Sequence, residues 1–67
     1  MSNHMYKMIE IVGSSAESIE LAIQNGVEHV SKSAQITWCE VGEIHARLEK
    51  GKISAYQVKL KVATTLE

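Results

Sequence analysis

Leu48-Glu49-Lys50-Gly51-Lys52-Ile53 reads as a tight turn between two long extended runs, Ile36 to Glu49 and Lys52 to about Leu66. A glycine-bearing break between two such runs is the sequence signature of a β-hairpin. With the turn at Lys50-Gly51, Leu48 is expected to face Ile53 and Ile44 to face Gln57. Side chains then sort by parity. One face collects Cys39 and Val41 with Tyr56, Val58, Leu60 and Val62, and this face is expected to receive a helix. The opposite face collects Trp38, Ile44, Ala46 and Leu48 with Ile53, Ala55, Gln57, Lys59 and Lys61. A bulge near Gly42 would reverse the parity on one side of it.

Upstream of the hairpin, Met5 to Val12 alternates as a strand. Met5, Ile9 and Ile11 share one side with Lys7; Tyr6, Met8 and Val12 share the other with Glu10. Neither side is cleanly polar, so both are expected to be covered. Gly13-Ser14-Ser15 ends the run. Ser14 with Glu17 three residues later fits a capping box, which predicts a helix from about Ala16 to Ala34. Within it Ile19, Ala22, Ile23, Val27, Val30 and Ala34 recur at three- and four-residue spacings and make one apolar face. Gly26 lies in that stripe, where it weakens the helix but lets it approach a sheet closely. Glu28 and Lys32 are spaced as an outward ion pair. Leu21 points elsewhere, either as an ordinary exposed leucine or as a contact with another subunit. The predicted fold is α+β: strand, helix, strand, strand, forming a three-stranded antiparallel sheet with one helix across one face, a single domain over residues 1–67.

A chain of 67 residues is near the lower limit for a self-sufficient core. Cys39 has no partner for a disulfide, and one cysteine with His4, His29 and His45 in separate elements does not make a zinc site. Self-association is the remaining route to stability, and the half-apolar face left uncovered by one helix suits it. A formal net charge of −1 argues against nucleic acid or an anionic membrane as partner. No apolar run approaches a membrane span, and Met1-Ser2-Asn3-His4 lacks the marks of a signal peptide, so a cytoplasmic location is expected. The sequence contains no aspartate and no glycine-rich phosphate loop, and nothing pairs Cys39 with a histidine as nucleophile and base. Glu40 and Glu43 differ in parity and are not expected to share a face. No enzyme is expected.

Thr37-Trp38-Cys39-Glu40-Val41 holds the sole tryptophan and the sole cysteine. An indole on a strand fills a core or an interface, or stacks a planar ligand. Tyr6-Lys7 and Ile9-Glu10 lead into Val12-Gly13-Ser14, followed by Ser18-Ile19-Glu20, Ala22-Ile23-Gln24, Trp38-x-Glu40-Val41, Glu43-Ile44, Gly51-Lys52 and Tyr56-Gln57-Val58. This co-linear set, spanning almost the whole chain, resembles the dodecins, small flavin-binding proteins that assemble as hollow spheres of twelve subunits. The resemblance implies a flavin cofactor, FMN or riboflavin, and a homo-oligomer, expected to be a dodecamer. It also implies two binding residues. Trp38 matches the family's flavin-stacking tryptophan, and Gln57 matches the glutamine whose amide bonds the pyrimidine edge of the isoalloxazine ring. The chain departs from many bacterial dodecins in having Cys39 in place of an aromatic residue and Thr64-Thr65 in place of Phe-Arg. The second change removes a guanidinium suited to a flavin phosphate, with Lys59 and Lys61 as alternative cations. Storage, buffering or photoprotection of flavin is the function implied. A structural or ion-binding oligomer of the same fold is the alternative, and a flavin enzyme is disfavoured because a sandwiched ring leaves little room for substrate.

Overall fold

The computed structural model describes residues 4–66. Its elements are β1 (Tyr6–Ser15), α1 (Ile19–Ser31), β2 (Ile36–Glu49) and β3 (Lys52–Thr65). The three strands form one antiparallel sheet in the order β1-β3-β2. The α+β arrangement is therefore the one expected, with α1 lying mainly over β1 and β3.

The hairpin closes as read. Glu49 pairs with Lys52 and Leu48 with Ile53 across a two-residue turn in which Lys50 and Gly51 both have positive φ, 52° and 79°. Turns of that hand match the twist of the flanking strands, and glycine supplies one of the two left-handed positions without strain. Nearest the turn, Lys52, Ile53 and Ala55 pair with β2 alone, because β1 joins β3 only from Tyr56 onward.

The register of β2 on β3 shifts at three places, the last of them at Thr37 between Ile36 and Trp38. Between Leu48 and Arg47 the partner on β3 moves from Ile53 to Ala55, and between Ile44 and Val41 the residues Gly42 and Glu43 together face one residue of β3. Ile44 consequently pairs with Val58 and Ala46 with Tyr56, on the helix side of the sheet rather than beside Trp38. His45, not Ile44, faces Gln57. The second bulge restores the expected pairing for Val41 with Leu60, Cys39 with Val62 and Trp38 with Ala63.

The helix also begins later than predicted. Ser18 is its N-cap, its Oγ accepting from the Leu21 N–H at 3.0 Å. Ser14 does not take that role, because β1 continues to Ser15 in register with Tyr56. The Ser15 hydroxyl accepts from the N–H groups of Glu17 and Ser18 and turns the chain into the helix. At the other end the N–H groups of Ser33 and Ala34 both donate to the Val30 carbonyl, ending the helix before Ala34. Glu28 accepts from the Gln24 amide at 3.3 Å in place of the expected pair with Lys32, which is the C-cap.

The core is built on the central strand. Val58, Leu60 and Val62 are fully buried beneath Ala22 and Val30, with Ile9, Ile11, Ile23, Ala34, Ile36 and Cys39 packed around them. Gly26 faces the Leu60 and Ile11 side chains, which confirms its place in the stripe. Val41 lies on this same face yet stays exposed, because the helix does not reach over β2 at that point.

Candidate functional site

The face without the helix carries the candidate site. Its residues line up in rows across the three strands, because one residue of β3 pairs with both neighbours. Met8, Ala63 and Trp38 form the first row, Glu10, Lys61 and Glu40 the second, and Ser14, Gln57 and His45 the last. Between the last two, Lys59 meets Val12 on one side and the Gly42-Glu43 bulge on the other. The face grades from aromatic through charged to hydrogen-bonding.

At the aromatic end Trp38 is 49% exposed, an unusual state for the largest apolar side chain of a small domain. Tyr6 on the far edge strand leans over β3 to meet it, the ring centroids 6.4 Å apart and the planes at 63°. Ala63 between them is fully buried although no helix covers this side. Its single methyl leaves room for the two rings to approach above it.

In the charged middle, Lys61 stands between Glu10 and Glu40 in register, and the Lys59 ammonium lies 3.8 Å from the Glu43 carboxylate. That carboxylate is also 3.4 Å from His45 Nε2. Glu40 and Glu43 line the same shallow depression, contrary to the parity expectation, because the bulge turns Glu43 back onto this face. Each has a cationic neighbour in Lys61 or Lys59, so the two do not form an isolated acid pair. Among the described residues no group of three or more histidine, cysteine or acidic side chains is placed to hold a metal ion. No helix among them is long and apolar enough to cross a membrane.

Trp38 and Gln57 thus share one face, as the hairpin parity predicts, but they stand at its opposite ends. Gln57 is six positions along β3 from the partner of Trp38, which at strand spacing separates the two by about 20 Å. A three-ring ligand stacked on Trp38 does not reach the Gln57 of the same chain. Two further contributors were not legible in the sequence. His45 reaches the face only through the register shift between Leu48 and Arg47, and Tyr6 reaches Trp38 across an intervening strand whose place in the sheet only the topology reveals.

Fold and face together define a small α+β protein that keeps one side of its sheet, with a half-exposed tryptophan, open to a ligand or to a copy of itself. The sequence model of the family described as Dodecin matches residues 5–67. A dodecin of Thermus thermophilus is 38% identical over 64 residues, covering 94% of this chain and 93% of its own. The dodecin structure from Streptomyces coelicolor superposes with a TM-score of 0.94 at 35% identity, covering 100% of this chain and 97% of that one. The dodecin from Streptomyces davaonensis gives 0.93 at 39% identity, covering 98% of both chains. The chain belongs to the dodecin family, small binding proteins rather than enzymes.

Proposed function

We propose that this protein is an oligomeric flavin store that buffers or photoprotects FMN or riboflavin by stacking it on Trp38. The observation that carries the reading is the half-exposed indole on a sheet face that no other element among the described residues covers. A bound flavin supplies a planar, electron-poor, light-absorbing ring. Trp38 presents an electron-rich face of matching shape, and the Gln57 amide both donates and accepts, which suits the mixed pyrimidine edge. The residues present therefore fit the ligand.

The separation of about 20 Å between Trp38 and Gln57 within one chain adds a condition. If both touch the same ring, they come from different subunits, and the site is complete only in the assembly. A closed oligomer, expected to hold twelve copies, provides that arrangement and also covers the exposed Met8, Val12 and Trp38. Titration of the purified protein with FMN and with riboflavin, read by quenching of flavin fluorescence, tests the proposal. Quenching with saturable stoichiometry per subunit is expected. A colourless protein indifferent to both flavins would overturn it in favour of a structural or ion-binding oligomer.

A further inference from the structure

The geometry points to Tyr6 as the residue that holds the Trp38 ring in its ligand-ready orientation, a positioning role that rests on the flavin reading above. Tyr6 pairs with Thr65 and Trp38 with Ala63, so their backbones lie on the two opposite edge strands with β3 between them. Their rings nevertheless meet at 6.4 Å in the tilted geometry that aromatic quadrupoles favour. This contact bridges the whole width of the sheet. It passes across Ala63, a small and fully buried residue of the central strand that pairs with Trp38. The His4 ring also lies near Tyr6, the centroids 6.5 Å apart.

A tilted pair leaves at least one full indole face open, in keeping with the half-exposed state of Trp38. The backbone beneath Trp38 is held as well. Thr37 is the extra residue of a register shift, and its hydroxyl donates to the Ala63 carbonyl at 3.3 Å. A bulge of this kind aims the side chain that follows it. Thr37 therefore sets where the Trp38 side chain leaves the strand, and Tyr6 sets how the ring turns. An exposed indole without a neighbour samples several rotamers, and a ligand must then bear the entropy of freezing it. Tyr6 removes that freedom before the ligand arrives. Its own ring is half-exposed and adds little to the core, so its part in the fold is small.

Three variants test the role: Tyr6→Phe, Tyr6→Leu and, as control, Trp38→Ala. Each is titrated with FMN, its assembly is checked by native mass spectrometry, and the ligand-free indole is followed by near-ultraviolet circular dichroism and fluorescence anisotropy decay. Tyr6→Leu is expected to weaken FMN binding about three- to tenfold, to free fast indole motion and to leave the assembly intact. Tyr6→Phe keeps the ring and is expected to behave like the native protein. Should Tyr6→Leu fail to assemble, Tyr6→Met carries the same comparison. Native affinity in Tyr6→Leu beside a large loss in Trp38→Ala would overturn the bracing role while sparing the flavin site. Loss in Tyr6→Phe equal to that in Tyr6→Leu would also overturn it, by assigning the effect to the hydroxyl. Binding indifferent to Trp38→Ala would remove the flavin site itself.

Discussion

Gly13 of β1 lies so close beneath the Ala22 carbonyl of α1 that a methyl group on it would collide with the helix backbone, with the Gly26 nitrogen only 3.4 Å away. Backbone does not rotate aside as a side chain does, so Gly13→Ala must lift the helix from the sheet. The expected loss is about 2 to 3 kcal/mol, the upper part of the range for overpacking. Gly26→Ala makes the informative comparison. Its methyl would meet the ends of the Leu60 and Ile11 side chains at 2.8 and 3.1 Å, and the gain of roughly 1 kcal/mol in helix propensity offsets part of the cost. Thermal melts at one protomer concentration should rank Gly13→Ala well below Gly26→Ala, and equal melting temperatures would contradict the close approach.

The open face predicts the state of assembly. Met8, Val12 and Trp38 are exposed together on a sheet side that one helix cannot cover, in a chain too short to be stable by a large margin alone. A large closed oligomer, twelve subunits, is expected at low micromolar concentration in native mass spectrometry and light scattering. A folded monomer or simple dimer as the main species would sink this expectation.

Removal of the indole tests the ligand contact. Trp38→Ala is expected to weaken flavin binding more than tenfold, since aromatic stacking contributes roughly 0.5 to 1.5 kcal/mol beyond the area it buries. Trp38 is not part of the buried cluster beneath the helix, so the fold itself should survive. An unchanged dissociation constant would make Trp38 a packing residue only.

Thr64 and Thr65, the C-terminal departure read in the sequence, play different parts. Thr64 is buried, its hydroxyl donating to the Lys7 carbonyl at 3.3 Å, whereas Thr65 pairs with Tyr6 on the Trp38 face. An arginine at 65 would therefore project on the face of Trp38. Thr65→Arg is expected to raise the preference for FMN over riboflavin by about 1 to 2 kcal/mol, an effect that fades with added salt. A strong, salt-sensitive FMN preference already present in the native chain would assign the phosphate contact to another cation. Lys61 is the first candidate, because it stands in the row next to Trp38, whereas Lys59 lies further along β3 and within 3.8 Å of Glu43.

Most of the architecture was legible because it rests on periodicity. The four-residue spacing of Ala22, Gly26 and Val30 marked the face that packs on the sheet, and Lys50-Gly51 marked a turn that only a left-handed backbone closes. The helix start was not, because Ser14, Ser15 and Ser18 are all competent caps and the choice among them is made by how far β1 stays paired with β3. The register at Ile44 was misplaced for a similar reason. Nothing in the run around Ser54 marks it as an extra residue, and only the pairing of both flanks shows that β3 skips it between the partners of Leu48 and Arg47, a shift that Gly42 and Glu43 then cancel. Trp38 and Gln57 could be put on one face from parity, and the turn at Lys50-Gly51 already implied the Trp38–Ala63 pairing that fixes the length of strand between them.

That distance has a thermodynamic reading. On the proposed function, a ligand gripped by residues of different subunits binds the assembled shell and not the loose chain, so filling and holding together are one linked equilibrium. Ligand at a hundred times its dissociation constant would add about 2.7 kcal/mol per independent site to the cohesion of the shell. Conversely, anything that parts the subunits lowers affinity at every shared site in the same event. Such a container releases its contents together when it breaks, rather than leaking them one at a time.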